Sequence, residues 1–173
     1  MKRITKLAMG TFTGAAVALV PSTLTGTANA GTDTDTSVIT LRPDGAARAH
    51  AGASQAIHCA LAAHTPYRPQ RADAVDRSAV TVAGSMKCDH AVARISVRVG
   101  LYKDGRLYEQ SGVKSNAGRT SITLNAAGQC VGQQDYTGVA IANVIAPPGY
   151  HPSHAKGRAI GKTIRIADCK RGG

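Results

Sequence analysis

An all-β fold, an antiparallel β-sandwich of about seven strands, is what this chain predicts, and three observations predict it. After residue 55 the apolar residues recur with a period of two in short runs bounded by Gly, Pro and Asp, and no helical periodicity replaces them. Asp104-Gly105 lies between two such runs, a strong signature of a two-residue type I′ hairpin. Four cysteines, Cys59, Cys88, Cys130 and Cys169, follow a leader-like N-terminus and contain no C-x-x-C pair, which is the usage of a disulfide-braced exported domain. Among sandwiches an immunoglobulin-like strand arrangement is the default expectation.

The first element is a signal peptide over residues 1–30. Lys2, Arg3 and Lys6 give a basic start, Leu7 to Val20 an apolar stretch, and Ala28-Asn29-Ala30 a small-x-small cleavage site. The stretch is short for a spanning helix and carries Gly14, with Pro21 after it. The protein is therefore expected to be secreted and extracellular, with no membrane association after cleavage. An N-terminal arm follows over residues 31–54. Thr32 to Thr36 alternates Thr with Asp, and Val38-Ile39-Thr40-Leu41 is a strand-forming patch. Arg42-Pro43-Asp44-Gly45 reads as a turn, and Ala46 to Ser54 is a loose spacer. Three fates are open to the patch: adding to a partner's sheet, pairing with the protein's own sheet edge, or serving no purpose in a disordered terminus.

The sandwich domain is expected over residues 55–169, with a short tail over 170–173. Ile57, Cys59 and Leu61 share one face of a first strand; Val80, Val82, Met86 and Cys88 share one face of a second. Asp89-His90 then reads as a turn. In the third strand Ile95, Val97, Val99 and Leu101 alternate with Arg94, Ser96, Arg98 and Tyr102. A fourth runs from about Arg106 to Gln110, and Ile122 and Leu124 mark a fifth. The sixth places Val139 and Ile141 on one face, with Gly138 marking a bulge or a close backbone approach. Pro147-Pro148-Gly149 ends it. The last strand puts Ile160, Ile164 and Ile166 on one face, and Cys169 falls on the opposite parity, so a bulge or the strand end must re-aim it. Of three possible disulfide pairings, Cys59–Cys88 with Cys130–Cys169 is favoured, closing loops that the chain-entropy model values at about 3 to 4 kcal/mol each.

The formal charge is +11, and removing the three cations of the leader leaves the remainder near +8. Such a field favours anionic partners, although the basic residues are scattered and no aromatic platform for nucleic-acid bases accompanies them, so no specific nucleic-acid partner is expected. Catalytic patterns are weak throughout. His151 and His154 flank Pro152 with no third ligand placed by sequence, so no metal or other cofactor is expected. Asp89-His90 could form half of a Ser-His-Asp set, yet no G-x-S-x-G elbow is present. Glu109 is the only glutamate, which leaves paired-carboxylate chemistry poorly supported. Tyr102 and Tyr108 flank the Asp-Gly turn and could pair across strands. A non-enzymatic binding protein is the reading that remains.

The segments "CALAAHTPY", "SMKC", "VGLYKDGRL", "CVGQQDYTGVAIA", "APPGY" and "IRIADC", spread from about Ile57 to Cys169, resemble those of small secreted actinobacterial two-disulfide proteins. Some of these are similar to the adaptor subunits of the "umbrella" antibacterial toxin particles, in which a β-rich adaptor bridges a lectin-like subunit and the repeat stalk of the toxin. The resemblance implies a secreted adaptor whose N-terminal arm engages the stalk, here through Val38, Ile39, Thr40 and Leu41. Asp104 and Gly105 of the hairpin, and Pro148, Gly149 and Tyr150 in the 147–154 loop, are the candidate contacts for a second partner, being expected at strand ends. Two alternatives stand beside it: a protease inhibitor presenting Gly128 to Gly132 around Cys130, and a cationic cell-wall or polyanion-binding module.

Overall fold

A computed structural model describes residues 36–45, 55–69 and 79–169. The expected signal peptide (1–30), residues 31–35 and 46–54 of the expected arm, and the tail (170–173) lie outside the described residues. The rest is all-β: β1 (Thr36–Pro43), β2 (Ile57–Ala63), β3 (Ala79–Lys103), β4 (Arg106–Gln110), β5 (Lys114–Gln129), β6 (Gln134–Ile145), β7 (Tyr150–His151), β8 (His154–Ile160) and β9 (Ile164–Ile166). All pairings are antiparallel. Both favoured disulfides form, Cys59–Cys88 and Cys130–Cys169. Two disulfides befit an oxidising compartment. Among the described residues no helix is long and apolar enough to cross a membrane.

The arrangement is not immunoglobulin-like. There, successive strands are dealt between two separate sheets; here β1, β2 and β3 are hydrogen-bonded in succession and one path runs β7-β1-β2-β3-β6-β8. The reason lies in β3. The segments expected as a second and a third strand are one strand of 25 residues, and the expected turn at Asp89 does not exist. Its buried side chains are, apart from Thr81, even-numbered as far as Val92 (Val80, Val82, Met86, Cys88, Val92) and odd-numbered from Ile95 (Ile95, Val97, Val99, Leu101). The strand is bulged just before that change of parity, where the β3–β5 register shifts between Lys87 and Val92. Bulges bend strands, so the first half of β3 pairs with β2 and the second with β6, while β5 and then β4 follow its other edge. One bent strand thus belongs to both layers.

Asp89 sits at that bend and bridges to β2. Its carboxylate accepts the His58 amide at 3.0 Å and lies 3.2 Å from the His90 ring. Desolvation works against its charge, but the His58 amide and the His90 imidazole outweigh it and hold the carboxyl below its ordinary value. A carboxyl lowered on folding stabilises the fold above its unfolded value, and that share is lost as pH falls through the lower folded value. In acid titrations followed by circular dichroism, Asp89→Asn should therefore flatten the loss of stability below about pH 4; an unchanged acid limb would show that the contact adds nothing.

The two layers come close enough that small residues are obligatory between them. A Cβ at Gly84 would stand 2.6 Å from Val99 Cγ2 and 3.0 Å from Ala140 Cβ. One at Gly138 would fall on Val82 Cγ2 and lie 2.9 Å from the His64 carbonyl oxygen, so Gly138 marks a close approach rather than a bulge. Gly138→Ala should cost about 1–3 kcal/mol, the usual toll of overpacking, read from urea denaturation; a change within about 0.5 kcal/mol, typical of surface sites, would mean the layers are looser than described.

The same spacing reverses two expected faces. In β6 the inward side chains are Tyr136, Ala140, Ala142 and Val144, whereas Ile141 points outward. In β8 the inward residues are Ala155, Gly157 and Ala159, and Ile160 is outside. Gly157 is small because its Cβ would meet Ile39 and Leu61 of the facing strands at 3.2 and 3.4 Å. The final strand expected from the sequence is broken at Gly161, where Ala63 and His64 carbonyl oxygens would each lie 2.8 Å from a Cβ, leaving β8 and the short β9. β9 ends at Ile166, so Cys169 reaches Cys130 beyond the strand end, with no bulge needed.

Candidate functional site

The arm patch is a strand of the protein's own sheet. Val38 faces Ala60, Ile39 faces Cys59, Thr40 faces His58 and Leu41 faces Ile57 of β2. Leu41 is fully buried and Ile39 nearly so, while Val38 points outward. Of the three fates left open for the patch, pairing with the protein's own sheet is the one this strand adopts. Burying two aliphatic side chains on the home core stabilises by about 1.5–3 kcal/mol each, and a strand torn out for a partner would forfeit that.

The 147–154 loop is sewn onto the end of this strand. Tyr150 and His151 pair with Pro43 and Arg42, the Asp44 amide donates to the Gly149 carbonyl at 2.8 Å, and His151 Nε2 lies 2.7 Å from Asp44 Oδ1. The Tyr150 hydroxyl donates to the Gln55 carbonyl at 3.2 Å. Pro148 is exposed, and Gly149 and Tyr150 are half-buried. The Asp104-Gly105 hairpin forms as expected, with φ of 47° and 77° and Lys103 opposite Arg106. It is fastened to β6: the Asp135 amide donates to Asp104 Oδ1 at 3.0 Å, and the Asp104 amide to the Asp135 carbonyl at 2.8 Å. The two candidate contact loops therefore stand at opposite ends of β6, on the order of 35 Å apart at about 3.3 Å per residue.

The Tyr102–Tyr108 pair does not form. A two-residue turn puts Leu107 opposite Tyr102, and a register shift then sets Glu109 opposite Leu101. Tyr108 instead lies under Lys103, whose Nζ is 4.1 Å from the ring centroid, and donates to the Gln129 carbonyl at 3.2 Å.

Between the two loops runs the outer face of β3, β6 and β8, and the ladders fix which residues share it. Gly100, Val139 and Ile160 form one row; Arg98, Ile141 and Arg158 the next; Ser96, Asn143 and Lys156 a third; Arg94, Ile145 and His154 a fourth. Ile141 is 45% exposed and Ile160 37%. Arg94, Arg98, Lys156 and Arg158 are all exposed, no acid occurs in these rows, and among the described residues none of the four cations is ion-paired. Gly100 opens a shallow groove of about 140 Å³ beside Ile141, walled by Tyr102, Leu107, Arg98 and Val139. An aliphatic strip bordered by unpaired cations is thus built into rigid sheet. The sequence reading missed it by setting Val139 and Ile141 together on one apolar face and Ile160 on another, whereas Val139 is buried and Ile141 and Ile160 are exposed; the signal available was the run of Gly and Ala at the alternate positions of β6 and β8, which fits a thin interlayer space.

Other groups with chemical potential are separate. His64 Nε2 lies 3.1 Å from Ser85 Oγ, but among the described residues no carboxylate is bonded to His64 to orient it. No group of three His, Cys, Asp or Glu converges as a metal site among the described residues. Around Cys130, the Val131 amide donates to the Tyr136 hydroxyl at 2.8 Å, and that hydroxyl donates to the Val131 carbonyl at 3.0 Å. The Val131 main chain is thereby occupied, whereas an inhibitory loop would need it free to pair with a protease.

No protein-family model, curated protein or solved structure matches this chain.

Proposed function

We propose that this chain is a secreted, non-enzymatic binding protein, an adaptor that holds another secreted protein on the outer face of β3, β6 and β8. The observation that carries the reading is the inverted packing of β6 and β8, with Ala and Gly against the core and Ile141 and Ile160 toward solvent. Large aliphatic side chains held open on paired strands, Ile141 on the inner strand β6 and Ile160 on the edge strand β8, are the feature of a surface meant to be covered. The rim of Arg and Lys supplies the polar border that such interfaces carry. Supported in this way, the adaptor suggested by the resemblance works with its arm strand at home in the sheet and its partner, a toxin stalk or a lectin-like subunit, on this face. The loops at either end of β6 flank the face and can extend it.

A tagged pull-down from the producer's culture supernatant tests the proposal, with the wild-type protein beside Ile141→Asp. A protein retained in stoichiometric amount by the first and reduced at least about tenfold by the second, the effect of losing some 1.4 kcal/mol, is the expected result. Equal recovery by two equally folded baits would contradict it.

A further inference from the structure

We infer that the partner's contact is an acidic segment carrying aliphatic side chains, and that it is read across the row Arg98–Ile141–Arg158. The inference rests on the binding-protein reading and specifies its partner. Ile141 is paired laterally with Arg98 on β3 and Arg158 on β8. Adjacent strands lie about 4.8 Å apart, so the two guanidinium-bearing positions flank the isoleucine at equal reach on either side. An aliphatic side chain seated over Ile141, beside the groove that Gly100 opens, would bring neighbouring carboxylates within reach of both arginines, which offer planar two-pronged donors. Lys156 and Arg94 extend the positive field along the same face, and no acid of these rows opposes it. A pure polyanion would use the cations but leave the apolar strip uncovered; a neutral apolar partner would leave the arginines facing it without counter-charges. The combination selects a ligand with both.

The experiment measures fluorescence anisotropy of a labelled peptide of alternating Asp and Leu on the intact mature protein. All-Asp peptide, alternating Ser and Leu peptide, and inorganic polyphosphate are the comparators. The Asp/Leu peptide should bind at least about tenfold tighter than any of them, and both Arg98→Glu with Arg158→Glu and Ile141→Ser should each remove that preference. Binding of all-Asp peptide or polyphosphate as tight as Asp/Leu, with a steep salt slope, would overturn the inference in favour of charge alone. Binding of Ser/Leu as tight as Asp/Leu would overturn it in favour of apolar contact alone. If no peptide binds while Ile141→Asp still loses the partner from culture supernatant, the partner chemistry falls and the binding-protein reading stands. Loss of neither retires both. All three variant positions, 98, 141 and 158, carry exposed side chains on paired strands, and matching far-ultraviolet circular dichroism certifies each variant as folded.

Discussion

Tyr136→Ala should lower the unfolding free energy by about 3–5 kcal/mol, as removal of a buried aromatic does, and on a domain of this size that is a large share of the total. Tyr136 is the largest side chain with no exposed surface among the described residues. It also closes the turn after Cys130, since its hydroxyl serves both the amide and the carbonyl of Val131. Tyr136→Phe separates the two roles: the ring stays, and the cost should fall to about 1–3 kcal/mol for the main-chain groups left without their partner. Denaturant titration of both variants gives the comparison. Burial, helped by Tyr108 and Asp104 and opposed by the Val131 contact, raises the phenol above its ordinary value. A group that holds its proton more tightly when folded stabilises fully below the unfolded value, so this share fades as pH climbs past about 10. Tyr136→Phe should therefore lose less stability at alkaline pH than the wild type; identical alkaline limbs would show that the phenol is not shielded.

Replacing Cys130 and Cys169 together by alanine should cost about 2–5 kcal/mol, the usual consequence of removing a native disulfide from a small exported domain. The effect should also be local. β9 holds to β6 through only three pairs, Gln134 with Ile166, Asp135 with Arg165 and Tyr136 with Ile164, supplemented by the Gln133 amide to the Ile166 carbonyl at 2.7 Å. Without the covalent tie, hydrogen exchange at Arg165 and Ile166 should accelerate well before global unfolding. By contrast Cys59 and Cys88 face each other as the end pair of the β2–β3 ladder, where β1 also pairs with Cys59 and β5 with Lys87, so the chain around them stays paired when that disulfide is lost. Equal exchange in the wild type and the Cys130/Cys169 variant would mean that β9 is held by packing alone.

The strands whose core residues are large were legible from the sequence. Alternation over Ile57 to Ala63 and over Ile95 to Leu101, the Asp104-Gly105 turn and the disulfide pairing all form as read, because one face of each strand is buried in a two-residue period. Three features were not legible. Asp89-His90 carries turn chemistry, yet tertiary pairing with His58 draws it into a bulged strand. The faces of β6 and β8 were inverted because hydrophobicity ranks Ile above Ala, whereas the 2.6 to 3.2 Å approaches at Gly84 and Gly157 leave room only for small side chains inside. The fate of Val38 to Leu41 was undecidable locally, since a strand former satisfies the same edge hydrogen bonds on any sheet. The candidate surface was hidden for the second of these reasons: its central residues were read as parts of apolar faces.

The measurement that bears most directly on how this protein works is photo-cross-linking in the producer's culture supernatant, with p-benzoylphenylalanine placed in turn at Ile141, on the sheet face, and at Val38, on the outward side of β1. Covalent capture of one protein species from position 141, and none from position 38, is the predicted result. Capture from position 38 alone would contradict the account and return the partner to the arm strand.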